Sequence, residues 1–288
     1  MSGAIFRDIG NVSEPSQAFL AAADIVQFLD VWLSNDLLSG EEAQVFSIYY
    51  ESYPKSFTSR IRKFYAGQIR EAENVLTQQS EATILEVGCG LGTEPLWLAL
   101  KGGQVSAIDV RQDRVNTARA GQSVLEREIG RSITYAFDCG SFLELDDGER
   151  FDVIWMEQAF HHLEPRRDVL RKTIDLLKPD GHLVISEPNA LNPILQLELF
   201  IRQGLPRAAT EEDPDRKLHP YGAQRATMAG APAEILEGVG VQRVSVRHFR
   251  TFPSRPVFDC FSGIEARPSS NTPAPLFTNF NYVGQKSA

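Results

Sequence analysis

Cysteine, methionine and tryptophan are scarce, three of each in 288 residues, and there are only five histidines. Cys89, Cys139 and Cys260 are odd in number and show no metal-ligand spacing, so neither a disulfide framework nor a cysteine-held metal is expected. That usage suits a reducing compartment, and a cytoplasmic location is expected. No apolar run approaches the roughly 20 residues of a membrane-spanning helix, and the opening Met1-Ser2-Gly3-Ala4-Ile5-Phe6-Arg7-Asp8 has no long apolar core. An excess of positive charge is missing too. With 29 Lys and Arg against 38 Asp and Glu, the net charge of −9 speaks against a nucleic-acid ligand, which normally demands a basic face. Internal repeats and low-complexity tracts are absent. What remains is an ordinary globular composition, 42% hydrophobic and 23% charged, in a chain long enough for one large domain with an appendage.

The richest stretch is Thr83-Ile84-Leu85-Glu86-Val87-Gly88-Cys89-Gly90-Leu91-Gly92-Thr93-Glu94. An apolar run too short for a helix ends in an acid and then in three glycines at alternate positions. A helical stretch, Glu94 to Lys101, follows at once. That order predicts a buried parallel strand, a tight glycine turn and a helix opening toward a ligand. Glycine is needed there because a Cβ hinders positive-φ turns and close approach of the backbone to a bound molecule. A dinucleotide fingerprint would place a third small residue where Thr93 stands.

Three later features extend the pattern. Asp109 closes a second apolar run, Val105-Ser106-Ala107-Ile108, and lies 21 residues after Gly88, where an acid can accept hydrogen bonds from ribose hydroxyls. Asp138 ends Ile133-Thr134-Tyr135-Ala136-Phe137, a place for a carboxylate facing an adenine amino group. Phe151 to Gln158 and Leu176 to Glu187 each read as a strand, with Pro179-Asp180-Gly181 as the turn feeding the latter.

Together these segments, over about residues 82–190, resemble the class I S-adenosylmethionine-dependent methyltransferases of the broad small-molecule type that includes the ubiquinone-biosynthesis enzymes. The resemblance implies an α/β fold: a Rossmann-like, doubly wound seven-stranded sheet with its last strand antiparallel, plus an N-terminal helical cap. It implies S-adenosylmethionine as cofactor and S-adenosylhomocysteine as product. Glu86, Gly88, Gly90 and Gly92, with Cys89 between them, would surround the methionine part. Asp109 would hold the ribose, Asp138 and Cys139 the adenine, and Glu157 would lie near the sulfonium.

The flanks divide the chain into a helical cap, 1–80, and a methyltransferase domain, 81–288, with substrate-wall insertions at about 188–221 and 251–276. In the cap, Ser13-Glu14-Pro15 starts a helix carrying Ala18, Ala22, Ile25, Val26, Leu29 and Leu33 at helical spacing. A second helix is predicted from Ser56 to Leu76, burying Phe57, Ile61, Phe64, Ile69 and Val75. The tyrosine-dense stretch between them, including Tyr49 and Tyr50, either packs the cap or lines the substrate pocket. Arg60 and Arg62 either form a solvated face or meet a carboxylate. Past strand five come an apolar helix, Pro193 to Arg202, a charged loop, Thr210 to Lys217, and a helix from Gly222 to Gly238. A strand from Val241 to Phe249 and an antiparallel one from Phe277 to Val283 complete the sheet.

Displacement at a methyl sulfonium mainly requires proximity, alignment and exclusion of water. A hydroxyl acceptor would in addition use a base, for which His161 and His162 stand first and His219 and Tyr221 behind them. Glu187 is a candidate for orienting an amine. The acceptor is expected to be a small organic molecule, quinone-, lipid- or natural-product-like, taking the methyl on oxygen or nitrogen. No nucleic-acid partner, membrane span or metal is expected, and a homodimer is compatible with the chain. Two other readings share the motifs: a non-catalytic S-adenosylmethionine-binding regulatory protein and a nicotinamide oxidoreductase.

Overall fold

A computed structural model describes residues 14–79, 81–146, 148, 150–203, 209–212, 218–221, 232, 236, 240–265 and 272–287. Its centre is a seven-stranded sheet. Strands β1 (Thr83–Val87), β2 (Gln104–Asp109), β3 (Tyr135–Cys139), β4 (Phe151–Glu157) and β5 (Leu177–Pro188) come first in the chain. A separate hairpin, β6 (Ala209–Glu212) and β7 (Leu218–Tyr221), precedes β8 (Val241–Phe249) and β9 (Asn279–Lys286). The spatial order is β3-β2-β1-β4-β5-β9-β8, and only β9 runs antiparallel to its neighbours. This is the expected α/β fold with the last strand reversed.

Strand periodicity sorts the core into two faces. Ile84, Val153 and Trp155 join one apolar cluster, and Leu85, Ile154 and Met156 join the other. The run is apolar throughout because both faces are covered. One cover comprises α1 (Pro15–Ala21), α2 (Ile25–Ser34), α7 (Thr93–Leu100) and α8 (Gln112–Ile129), which bring Phe19, Phe28, Trp32 and Trp97 together. On the other face α9 (Arg166–Leu176) contributes Val169 and Leu170.

The Phe-Asp pair opening β4 and the Lys-Pro-Asp-Gly turn before the main run of β5 meet physically. Asp152 accepts hydrogen bonds from the Thr83 N–H (2.8 Å), the Thr83 hydroxyl (2.7 Å) and the Lys178 ammonium (2.8 Å). Burial opposes its ionisation, but these donors outweigh that and hold it at about 2. Strand pairing then jumps from Phe151–Leu177 to Val153–His182, so the intervening residues bulge as a turn in which Asp180 takes φ 62°.

The cap departs from the predicted pair of helices. Asp24 interrupts the first, its carboxylate accepting the Gln27 N–H (2.9 Å) and so starting a new helix. Residues of the tyrosine-dense stretch form α3 (Gly40–Tyr49) and the one-turn α4 (Tyr53–Ser56). The second predicted helix is broken at Ile69 into α5 (Ser59–Gln68) and α6 (Arg70–Gln78), where Asn281 of β9 donates to the terminal carbonyls of Gly67 and Gln68. Its innermost residues include Arg60, Tyr65, Gln68 and Ala72 as well as Ile69, whereas Phe57, Ile61, Phe64 and Val75 are only half-buried. A polar face turns inward because it meets carboxylates and carbonyls. The apolar helix after β5 is present as α10 (Pro193–Gln203). Most of the helix predicted from Gly222 to Gly238, and residues 213–217 of the charged loop, lie outside the described residues.

Candidate functional site

The glycine loop leaves β1 with Gly88, Gly90 and Gly92 all at positive φ, 80°, 54° and 75°. A Cβ on Gly88 would stand 2.6 Å from that of Ala159, and one on Gly92 2.5 Å from the Phe137 ring. Gly92 therefore permits helix–sheet packing, while Gly90 faces the Tyr49 hydroxyl at 2.8 Å from its ideal Cβ. Asp109, at the end of β2, fastens the loop: Oδ2 accepts the Gly90 N–H and Oδ1 the Arg111 N–H, each at 2.9 Å.

Beside this loop, at the carboxyl ends of β1, β2 and β4, lies a cavity of about 660 Å³. Topological reversal between β1 and β4 opens such crevices, and the volume falls in the usual small-molecule range. Among the described residues five carboxylates line it: Glu86, Glu94, Asp109, Glu157 and, beside His162, Glu164. Burial raises the pKa of Glu86, Glu94, Asp109 and Glu157, and mutual repulsion raises Glu86 and Glu157 further. Glu86 Oε2 is buried and has no hydrogen-bond partner among the described residues. Such a cluster gains from a cation entering it.

The cap closes this pocket from above. Tyr49 and Tyr53 line the cavity, with the Arg114 guanidinium 5.5 Å from the centre of the Tyr49 ring. Tyr65 also lines it and donates to Glu94. Tyr50 is set back, its hydroxyl 2.6 Å from that of Thr93. Opposite stands the turn after β4, Phe160–His162. His162 lines the cavity, whereas His161 is buried behind it, with its Nδ1 2.6 Å from Glu187 Oε2 and its N–H donating to Oε1 at 3.3 Å. The two imidazole centroids are 3.8 Å apart.

Glu86, Gly88, Cys89, Gly90, Asp109, Glu157, Tyr49 and His162 thus meet around one space. Gly92, Tyr50, His161 and Glu187 support it from behind. Asp138 and Cys139 are exposed, and Gly140, Ser141 and Phe142 line the cavity instead. His219 and Tyr221 lie in β7 of the separate hairpin. Sequence reasoning missed Glu94, Tyr53 and Arg250 in this wall. An acid in the first turn of α7 was the available signal for Glu94; Arg250 had none, since it arrives from the far end of the sheet.

Residues 85–183 match the family model described as a methyltransferase domain. Residues 85–183 are a methyltransferase domain. The chain is 32% identical over 133 residues to a ubiquinone biosynthesis O-methyltransferase of Rickettsia conorii, covering 46% of this chain and 44% of that protein. It is 32% identical over 108 residues to methyltransferase GfsG of Streptomyces halstedii, covering 36% and 37%. The chain therefore spans less than half the length of these two curated relatives. Among solved structures, magnesium protoporphyrin IX methyltransferase from Synechocystis with bound S-adenosylhomocysteine superposes with a TM-score of 0.55 at 14% identity, over 85% of this chain and 96% of that one. The N-methyltransferase NodS of Bradyrhizobium japonicum gives 0.51 at 14% identity, over 92% and 100%. At those identities the likeness is one of fold. S-adenosylmethionine is the cofactor of such a domain, and the unpartnered Glu86 oxygen, with Glu94, Asp109 and Glu157 around the same space, suits a ligand carrying ammonium and sulfonium charges.

Proposed function

We propose that the chain transfers a methyl group from S-adenosylmethionine to an oxygen or nitrogen of a small organic acceptor, with residues 251–265 and the cap forming the acceptor's walls. The observation that carries this reading is the juxtaposition, in one cavity, of a carboxylate-lined end with a half closed by Tyr49, Tyr53, Phe57 and His162. Sulfonium chemistry supplies an already activated methyl group, so the protein's tasks are to position, to exclude water and to accept a proton. Glu86 and Glu157 balance the donor's positive charge, and aromatic faces nearby favour a cation. Asp109 offers acceptor lone pairs at the place suited to ribose hydroxyls.

His162 is the base in this reading and His161 a positioning residue. Glu187 fixes the His161 ring through Nδ1, and that ring supports its neighbour. A base of this kind contributes about 10² to 10⁴ in rate toward a hydroxyl. The test is product formation with matched phenol and amine panels, alongside calorimetry with S-adenosylhomocysteine. His162→Ala is expected to cut transfer to hydroxyls by about that factor and leave product affinity unchanged. Turnover toward hydroxyls unaltered in His162→Ala would leave proximity alone as the catalyst. Absence of S-adenosylhomocysteine binding would sink the whole reading.

A further inference from the structure

On an acidic chain, one cavity wall is conspicuously basic. A second cavity of about 270 Å³ lies between α5, the start of α6 and the end of β8. Arg60, Lys63, Phe64 and Gly67 follow one another at the i, i+3, i+4, i+7 spacing that puts them on one helix face. Arg70 and Arg247 come from the other two elements and Arg250 directly follows β8; among the described residues Glu265 is the one acid in the lining. That acid is already committed to Arg60, 3.0 Å from its Nη1. Lys63, Arg70 and Arg247 form no ion pair among the described residues, so three cations face this space without a carboxylate of their own, and Arg250, which Glu265 and Glu198 partly offset, adds a fourth.

Arg250 connects this space to the donor cavity, because it stands in the walls of both. Its backbone adopts φ 56°, unusual for a residue with a side chain, and its Nε donates to the Thr278 hydroxyl (2.9 Å), leaving the two Nη groups for a ligand. Burial, then the neighbouring Arg60, lower its pKa to about 10, so an arriving anion would relieve it. Gly67 adds a second argument. It sits inside α5, where glycine is a poor helix former, yet an added Cβ would meet nothing within 4 Å. The missing side chain leaves the cavity open.

We propose that this second cavity binds a phosphate-type oxyanion, carried by the acceptor whose other end reaches the methyl donor past Arg250. The count of unneutralised cations matches a doubly or multiply charged group better than a single carboxylate, and arginine forks suit phosphate oxygens. Placement in the acceptor rests on the methyltransferase reading; the anion site does not.

The probe is inorganic pyrophosphate, titrated calorimetrically into the full chain at low salt, with S-adenosylhomocysteine titrated in parallel. Wild-type protein is expected to bind one pyrophosphate. Arg70→Gln/Arg247→Gln should weaken it by roughly tenfold or more per guanidinium, and Gly67→Leu, which strengthens the helix, should abolish it by filling the space. Neither variant should alter S-adenosylhomocysteine affinity. Absence of pyrophosphate binding, or equal binding in the wild type and both variants, overturns the anion site. Loss of S-adenosylhomocysteine binding in the wild type instead overturns the donor reading alone. Phenyl phosphate against inorganic phosphate separates the sources: tighter binding of the aryl ester supports an acceptor arm, and equal affinities assign the site to a free anion.

Discussion

The two sides of the donor cavity are held in different ways. On the side of β1, β2 and β4, geometry is set by backbone: three positive-φ glycines, and Asp109 bonded to two loop N–H groups. On the side of the cap and residues 250–265, it is set by one buried arginine. Arg60 is 4% exposed; it pairs with Asp259 and Glu265 and donates to the carbonyls of Phe252, Pro253 and Arg255. The first side uses residues within about 20 positions of one another, the second residues some 200 positions apart. A local loop can be assembled by the chain alone, whereas the distant wall depends on a charge pairing that must survive desolvation.

That contrast gives the largest expected effect. Arg60→Ala strands a fully buried Glu265 and several carbonyls, and breaking one partner of such a pair typically costs about 3–5 kcal/mol. Urea denaturation should show that loss, and Arg60→Lys should recover little because a single ammonium cannot reproduce the fork. Arg62, paired with Asp30 on a half-exposed surface, serves as the control; its replacement by alanine should cost no more than about 1 kcal/mol. Equal losses at the two arginines would erase the distinction drawn between the walls.

Breaking the other side comes next. Gly92→Val forces a β-branched residue into the left-handed region, at about 1–2 kcal/mol, and drives a methyl into the Phe137 ring, at about 1–3 kcal/mol. The same chemistry at Gly102, whose φ is 104° but whose Cβ would meet nothing within 4 Å, isolates the backbone share. Thermal melts in which the two glycine variants fall together would show that packing against Phe137 contributes nothing.

The same contrast explains what could be read in advance. The glycine loop, Asp109, the run from Phe151 and the Pro179-Asp180-Gly181 turn are short patterns recognisable in the sequence itself, and they led to the seven-stranded sheet with its last strand reversed. Val241 to Phe249 was legible for the same reason. Arg60 was legible only as an alternative, a solvated face or a carboxylate contact; the structure shows the contact, but nothing nearby in the sequence announces Asp259 or Glu265 as the partners. Likewise the Ser56–Leu76 periodicity ran across a break that Asn281 of β9 helps create. Among the histidines, sequence could place the pair on the cavity edge but could not say that Glu187 would hold His161 back and leave His162 in the wall.

A smaller effect sharpens the assignment of the donor half. Asp109→Ala removes a buried carboxylate that accepts two backbone N–H groups and faces the cavity. Loss of a charged acceptor is worth roughly 1.5–3 kcal/mol, so S-adenosylhomocysteine affinity should fall about tenfold to a hundredfold. Unchanged affinity in a well-folded variant would remove Asp109 from the cofactor site.

The smallest effect concerns protons. Glu86 is buried and its pKa is raised, by desolvation first and by Glu94, Glu157 and Asp109 next. An acid whose folded pKa lies above its unfolded value stabilises the fold below the unfolded pKa, and that contribution is lost as pH rises through the folded pKa. The ligand-free protein should therefore lose stability on going upward from the ordinary glutamate value of 4.5. Glu86→Gln cannot ionise, so its stability advantage over the wild type should widen between about pH 5 and about pH 8. Donor binding should run the opposite way: S-adenosylmethionine brings positive charge to the ionised cluster, so wild-type affinity should rise with pH over that interval and the variant's should not. A constant stability difference between the two proteins across the interval would mean that Glu86 keeps one protonation state throughout, and the carboxylate cluster would then owe its fit to the donor to shape rather than to charge.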